Sequence, residues 1–162
     1  MVAQPSEPVA RVAQFLSKSR AEARLQEFGA GTPTADDAAR AIGCELDQIV
    51  KSLLFLCDGE PVLALVPGSR RADPKKVAAA VDARTARIAP PEVVREATGF
   101  EVGGVAPFPL PAVVGQVLAD RSLLAWSIVW TGVGSDRHMA GLAPAEIVRL
   151  TRAKAVDLCV DG

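Results

Sequence analysis

The sequence predicts an α+β fold, a mixed and curved sheet or partial barrel with short helices packed around it. Three observations carry this prediction. Apolar runs of strand length outnumber helical patterns along the 162 residues. An Asp58-Gly59 pair joins two of those runs, which is a strong hairpin signal. The regular βαβ alternation that a doubly wound sheet requires is absent.

The elements follow in chain order. Pro8 to about Ser19 reads as a helix, with Ser6 as its N-cap and Val9, Val12, Ala13 and Leu16 on one face. Arg24 to Phe28 reads as a short strand, and Gly29-Ala30-Gly31 breaks the chain after it. Thr34 caps a helix reaching Ile42, with Asp36 and Asp37 in the first turn where the helix dipole favours negative charge, and Gly43 ends it. Ile49–Cys57 and Pro61–Val66 form the hairpin. Asp73 caps a helix that starts at Pro74 and runs to Val81. Thr85 to Ile88 is a short strand, and Pro90 or Pro91 then opens a helix that stops at Gly99. Strands are expected at Val113–Leu118, at Ser127–Trp130 and around Met139–Leu142. A helix over Pro144–Leu150 and a strand over Ala155–Val160 complete the chain. No repeat, linker or low-complexity stretch divides it, so one domain over residues 1–162 is expected.

Composition narrows the function classes. An apolar share of 49% suffices for a buried core and excludes a disordered chain. No apolar run reaches the length of a membrane span, and the N-terminus lacks the pattern of a signal peptide. Cys44, Cys57 and Cys159 are odd in number and without C-x-x-C spacing, so neither a disulfide framework nor a zinc site is indicated; a reduced, cytoplasmic setting fits. The single histidine, His138, is a second argument against a metal site. A net charge of −1 argues against strong non-specific nucleic-acid binding. Arg70, Arg71, Lys75, Lys76, Arg84, Arg87 and Arg95 nevertheless outweigh Asp73, Asp82 and Glu92 in one segment. That excess reads as a solvated helix face, or as a weak, salt-sensitive phosphate contact.

Three segments could carry chemistry. Lys51 lies in the otherwise apolar run Ile49 to Cys57, where strand alternation puts it on the face of Leu53 and Phe55, with Ser52, Leu54 and Leu56 opposite. It either snorkels to solvent or holds an anion at the mouth of a pocket. The segment Thr98 to Pro111 contains adjacent glycines at 103 and 104 and prolines at 107, 109 and 111. Such a stiff loop is either a structural turn or a cradle of pre-aimed amides for a carbonyl or oxyanion. It is not a phosphate-binding P-loop, because the G-x-x-x-x-G-K-[ST] spacing is missing. Thr131 to Met139 forms a second Gly-rich turn. Ser135, Asp136 and His138 there invite a triad, but no G-x-S-x-G elbow exists and residues this close in sequence do not easily form a relay. His138 is then a loop histidine or a hydrogen-bonding selector. Cys57, with no basic partner in sequence, reads as an inert buried thiol.

Taken together these segments resemble the YbaK/EbsC family of aminoacyl-tRNA deacylases, related to the editing domain inserted in bacterial prolyl-tRNA synthetases. The resemblance is carried by Val50-Lys51-Ser52-Leu53-Leu54-Phe55, by Asp73-Pro74-Lys75-Lys76-Val77 and by Thr98-Gly99-Phe100 with Gly103-Gly104-Val105-Ala106-Pro107. Gly132-Val133-Gly134-Ser135 and Leu142 to Ile147 extend it, so that it covers roughly residues 25 to 160. It implies a mixed, largely antiparallel, partly closed β-barrel with flanking helices. It also implies hydrolysis of the ester between a wrongly attached amino acid and the tRNA 3′ end, with no metal or organic cofactor. Partners would be aminoacyl-tRNA and, further, an aminoacyl-tRNA synthetase. Lys51 matches the family's functional lysine. Ser52, the loop residues Gly103, Gly104, Val105 and Pro107, and the turn residues Gly132, Ser135 and His138 match positions around the aminoacyl pocket. Two departures stand out. Ala106 and Phe108-Pro109 replace smaller or polar residues around the loop proline, which narrows the expected pocket. The turn Gly-Ser-Asp-Arg-His differs from the Gly-Lys-Arg-Gly type of cysteine-specific members, and His138 lies near where the synthetase-inserted domains carry a histidine that helps choose the substrate, which favours a small residue such as alanine over cysteine. The resemblance thus implies a free-standing hydrolase that removes a small amino acid, alanine or cysteine, from tRNA, with proline tRNA as the carrier. The alternative is a catalytically weak tRNA- or synthetase-binding module of the same fold.

Overall fold

The computed structural model describes residues 7–29, 31–32 and 34–161. The Ser6 cap and Ala30, within the expected chain break, lie outside them.

Helix α1, Glu7–Lys18, buries Val9, Val12 and Leu16, the apolar face read from its spacing. Strand β1 spans Ala23–Glu27. Helix α2, Ala35–Ile42, starts at Thr34, whose hydroxyl accepts the Asp37 N–H at 3.1 Å, and stops at Gly43. A 3-10 turn over Leu46–Gln48 leads into β2, Ile49–Cys57. The hairpin turn has positive φ at both Asp58 (49°) and Gly59 (85°), the twist that suits antiparallel strands, and β3 follows at Glu60–Pro67. Asp58 also accepts the backbone N–H groups of Arg84 and Thr85, which anchors the start of the later strand β4, Ala86–Ile88. Between them lies α3, Pro74–Ala80, capped by Asp73. Helix α4 spans Pro91–Thr98, β5 Gln116–Asp120, β6 Val129–Gly132, β7 His138–Leu142, α5 Pro144–Thr151 and β8 Lys154–Val156.

The eight strands form one mixed sheet in the order β1-β7-β6-β2-β3-β5-β8, with β4 on β2 as a branch. The pairs β1–β7, β6–β7, β2–β3 and β2–β4 are antiparallel; β2–β6, β3–β5 and β5–β8 are parallel. This is the α+β class and mixed sheet that the sequence predicts. Alternation along β2 sorts its side chains as expected. Val50, Leu54 and Leu56 enter the central core with Val12, Leu63 and Phe108, whereas Phe55 and Cys57 enter a second cluster with Val66, Val77 and Leu158.

Two strands differ from expectation for identifiable reasons. Strand β5 begins at Gln116 rather than Val113, because the prolines before it strip donors, Val114 turns back onto Pro111 and Val113 is left exposed. The last strand ends at Val156 rather than Val160. The buried Asp120 carboxylate accepts the Leu158 N–H at 2.8 Å and so takes a donor that a continuing ladder would need.

The basic segment is also less free than its sequence suggests. Lys76 pairs with Asp157 (2.8 Å) and Asp161 (2.7 Å), Arg70 lies 4.0 Å from Asp120, and Arg95 lies 3.5 Å from Glu101. The acids beside Arg70 and Lys76 come from distant parts of the chain. Arg71, Lys75, Arg84 and Arg87 remain exposed.

The three thiols are unpaired: Cys44 is partly exposed, Cys57 and Cys159 are buried. Burial raises all three, and with Asp120 nearby it pushes the Cys159 thiol up to about 11. At pH 8 a thiol reagent such as Ellman's is expected to modify Cys44 slowly and to reach Cys57 and Cys159 only after denaturation. Three thiols reacting together in the native protein would contradict this packing.

Candidate active site

Strand β2 has a forked partnership on one edge. Its start pairs with β6 through Ile49 and Val50, and its end pairs with β4 through Phe55, Leu56 and Cys57. The Ala89 N–H extends the second branch to the Leu54 carbonyl at 2.9 Å. Lys51, Ser52 and Leu53 therefore face a notch where no strand is paired on that edge among the described residues. A cavity of about 480 Å³ opens there, within the usual range for small-molecule sites.

The cavity unites residues from several regions, the end of β4 and the start of α4 among them through Ile88 and Pro91. Lys51, Ser52 and Leu54 come from β2, Ala38 from α2, and Val102, Gly103 and Val105 from the Gly/Pro loop; Gly132, Ser135 and His138 come from the second turn. Lys51 is half-buried, and its Nζ donates to the Arg70 carbonyl at 2.5 Å. Burial, with a smaller contribution from Arg71, holds its ammonium below the usual lysine range. Ser52 Oγ is buried and has no hydrogen-bond partner among the described residues. Such an orphan hydroxyl in a cavity wall is a vacant donor and acceptor for a ligand or water.

The loop and the turn hold each other. The Gly134 N–H donates to the Gly104 carbonyl at 2.9 Å, and a Cβ on Gly104 would stand 3.0 Å from the Ser135 backbone. Gly104 thus buttresses the wall rather than lining the cavity. Pro107 lines a second cavity of about 370 Å³ with Phe15, Pro109 and Arg152, away from the first. The sequence also puts Ala106 and Phe108 at the pocket, but the structure buries both in the central core, with Phe108 stacked on Phe15 at 5.6 Å between ring centroids. They anchor the loop. Val102, Gly103 and Val105 are its cavity face.

The Gly132–His138 turn holds a hydrogen-bonded trio that sequence proximity argues against. Ser135 Oγ lies 2.7 Å from His138 Nδ1. The acidic member is Glu27 of β1, whose Oε2 lies 3.2 Å from His138 Nε2, not Asp136, whose backbone carbonyl accepts the Thr32 hydroxyl. Glu27 escapes sequence reasoning because only the β1–β7 register brings it opposite His138. Thr32, Ile88 and Met139, also on the cavity wall, lacked any local signal for the same reason.

Among the described residues no three His, Cys, Asp or Glu side chains converge to hold a metal ion, and no helix is long and apolar enough to cross a membrane.

The cavity is largely aliphatic, with one ammonium, an unpartnered hydroxyl and a glycine-rich wall, and comparison with known proteins identifies the class of the chain that carries it. Residues 30–150 match the family model of the aminoacyl-tRNA editing domain, and the chain belongs to that family. It is 34% identical over 139 residues to the uncharacterized protein YwhH of Bacillus subtilis, covering 85% of this chain and 87% of that one. It is 39% identical over 131 residues to a proline–tRNA ligase of Nitratidesulfovibrio vulgaris, covering 81% of this chain and only 22% of the ligase. A solved structure described as that of a candidate trans-editing enzyme for prolyl-tRNA synthetase superposes with a TM-score of 0.89 at 36% identity, covering 98% of this chain and all of the other. The family implies an aminoacyl-tRNA substrate and aminoacyl-tRNA hydrolase activity.

Proposed function

We propose that this domain acts as a cytoplasmic editing hydrolase that removes a mis-attached small amino acid, alanine or cysteine, from proline tRNA. The observation that carries this reading is the meeting of Lys51, Ser52, the Val102–Val105 loop and the Gly132–His138 turn around one cavity. Its volume suits an aminoacyl group with its ribose, and the exposed Arg71 and Lys75 offer positive charge to the phosphates of an acceptor stem. Aliphatic walls at Ala38, Leu54 and Val94 limit the side chain that enters. Such a wall separates neighbouring homologues by only about 1–3 kcal/mol per methylene, so selection by size is its natural mode.

The chemistry demands little of the protein. An aminoacyl ester is already activated, so a positioned water and a stabilised oxyanion suffice without a strong nucleophile or a cofactor. Lys51 supplies the positive charge, either to the substrate's phosphate-bearing end or to the ester oxygen. The amides of the Gly103 loop face the acyl group, and the unpartnered Ser52 hydroxyl is available to orient water or substrate.

The test is a panel of aminoacyl-tRNAs in which alanyl- and cysteinyl-tRNA specific for proline are hydrolysed well above their spontaneous rates and prolyl-tRNA is spared. Binding without turnover would replace this reading with that of a binding module. Arg71→Glu with Lys75→Glu is expected to weaken tRNA hydrolysis in a salt-dependent way. Unchanged rates in that double variant would point to a small ester that carries no nucleic acid. Lys76 is unsuited to this test because its charge is already taken up by Asp157 and Asp161.

A further inference from the structure

The chain Glu27–His138–Ser135 has no part in the mechanism above, and its geometry constrains what the cavity wall offers. Glu27 and His138 are direct cross-strand partners. A carboxylate only accepts hydrogen bonds, so the 3.2 Å contact requires a proton on His138 Nε2. In the neutral ring Nδ1 is then a lone pair, and the Ser135 hydroxyl, 2.7 Å away, must donate its proton to it. The Arg137 N–H donates to Ser135 Oγ at 3.0 Å and occupies one lone pair of that oxygen. One lone pair remains. Ser135 and His138 both line the cavity, so Ser135 meets a ligand as an acceptor with no proton to give.

We propose that Glu27 is a positioning residue which, by fixing the His138 tautomer, makes Ser135 Oγ the acceptor for the α-ammonium group of an aminoacyl ester. The site thereby selects esters with a free amino group over N-acylated ones. This rests on the reading that the cavity takes an aminoacyl ester. An α-ammonium is a charged donor, and hydrogen bonds with a charged partner are stronger than neutral ones. An N-acylated ester offers a single uncharged N–H and adds bulk. Glu27 itself is 69% exposed at its side chain, so its loss leaves no cavity in the core.

His138 is the sole histidine, so long-range 15N–1H spectra of the full chain read its two ring nitrogens without assignment ambiguity. The wild type is expected to show protonated Nε2 and lone-pair Nδ1 when the ring is neutral. Titration with the non-hydrolysable amide 3′-alanylamino-3′-deoxyadenosine should shift Nδ1, and its N-acetyl derivative should not. In deacylation assays, alanyl-tRNA should be cleaved roughly 10-fold or more faster than N-acetylalanyl-tRNA. Glu27→Ala should raise KM roughly 10-fold with kcat little changed, and Glu27→Gln, which keeps an acceptor at the same reach, should recover most of that loss. Ser135→Ala should abolish the preference for the free amine. The proposal is overturned by an Nδ1 signal indifferent to the amide, by equal cleavage of the two esters, or by a Gln variant as poor as the Ala variant. Absence of any turnover would overturn the deacylase reading alone, and the amide titration would still decide this one.

Discussion

Lys51→Met is expected to lower kcat/KM for deacylation by about 100-fold, the scale of removing one preorganised electrostatic contact from a transition state. The alternative role for Lys51 is structural, and the geometry makes it small. Its ammonium makes one hydrogen bond, to the Arg70 carbonyl, and burial penalises its charge. Methionine retains the aliphatic stem and removes that penalty, so the melting temperature should stay within a few degrees. Full activity in Lys51→Met would sink the assigned role. The direction of the pKa shift adds a second readout. A lysine held below its ordinary range keeps its proton at low pH and loses it earlier as pH rises. Activity that depends on the ammonium should therefore decline on the alkaline side before a free lysine would titrate.

Gly134→Ala is expected to cost about 2–4 kcal/mol of stability and to reduce activity as well. Gly134 has φ of +110°, which strains any side chain, and a Cβ there would lie 2.8 Å from the backbone of Pro8 and Val9. Neither neighbour is a flexible side chain that can swing away. Either α1 or the turn must shift, and the turn carries Ser135 and His138. Gly103→Ala is the control. It shares a positive φ (+93°) but has open space around its Cβ position, so a cost of about 1–2 kcal/mol is expected. Urea denaturation of both variants tests the difference. Equal losses would mean that the close approach of α1 to the turn does not matter.

That approach explains why the turn was harder to read than the hairpin. Asp58-Gly59 signals its own conformation, because the positive φ values and the flanking alternation are local. Gly134 signals a turn equally well, but not that α1 would lie against it. The same holds for the charges. The basic run from Arg70 to Arg95 is visible in sequence, whereas the pairing of Lys76 with Asp157 and Asp161 depends on α3 meeting the chain's last segment. Phe108 illustrates the opposite error. An aromatic beside a functional loop suggests a pocket wall, yet the cheapest place for its apolar surface is the core, and there it stacks on Phe15.

The amino-acid sequence by itself determined the α+β class, the caps and stops of the helices, the two-faced character of β2 and the three segments that meet at the cavity. These rest on local backbone preferences and on side-chain period, which neighbouring residues impose on one another. Only the tertiary structure decided that β2 is forked and leaves Lys51 and Ser52 at a notch, that Gly104 and Pro107 stand behind the wall rather than in it, and that Glu27 completes the pair His138 and Ser135. Those facts depend on strand register and on contacts between segments far apart in the chain, 111 residues in the case of Glu27 and His138, and such distances leave no periodic trace in a single chain.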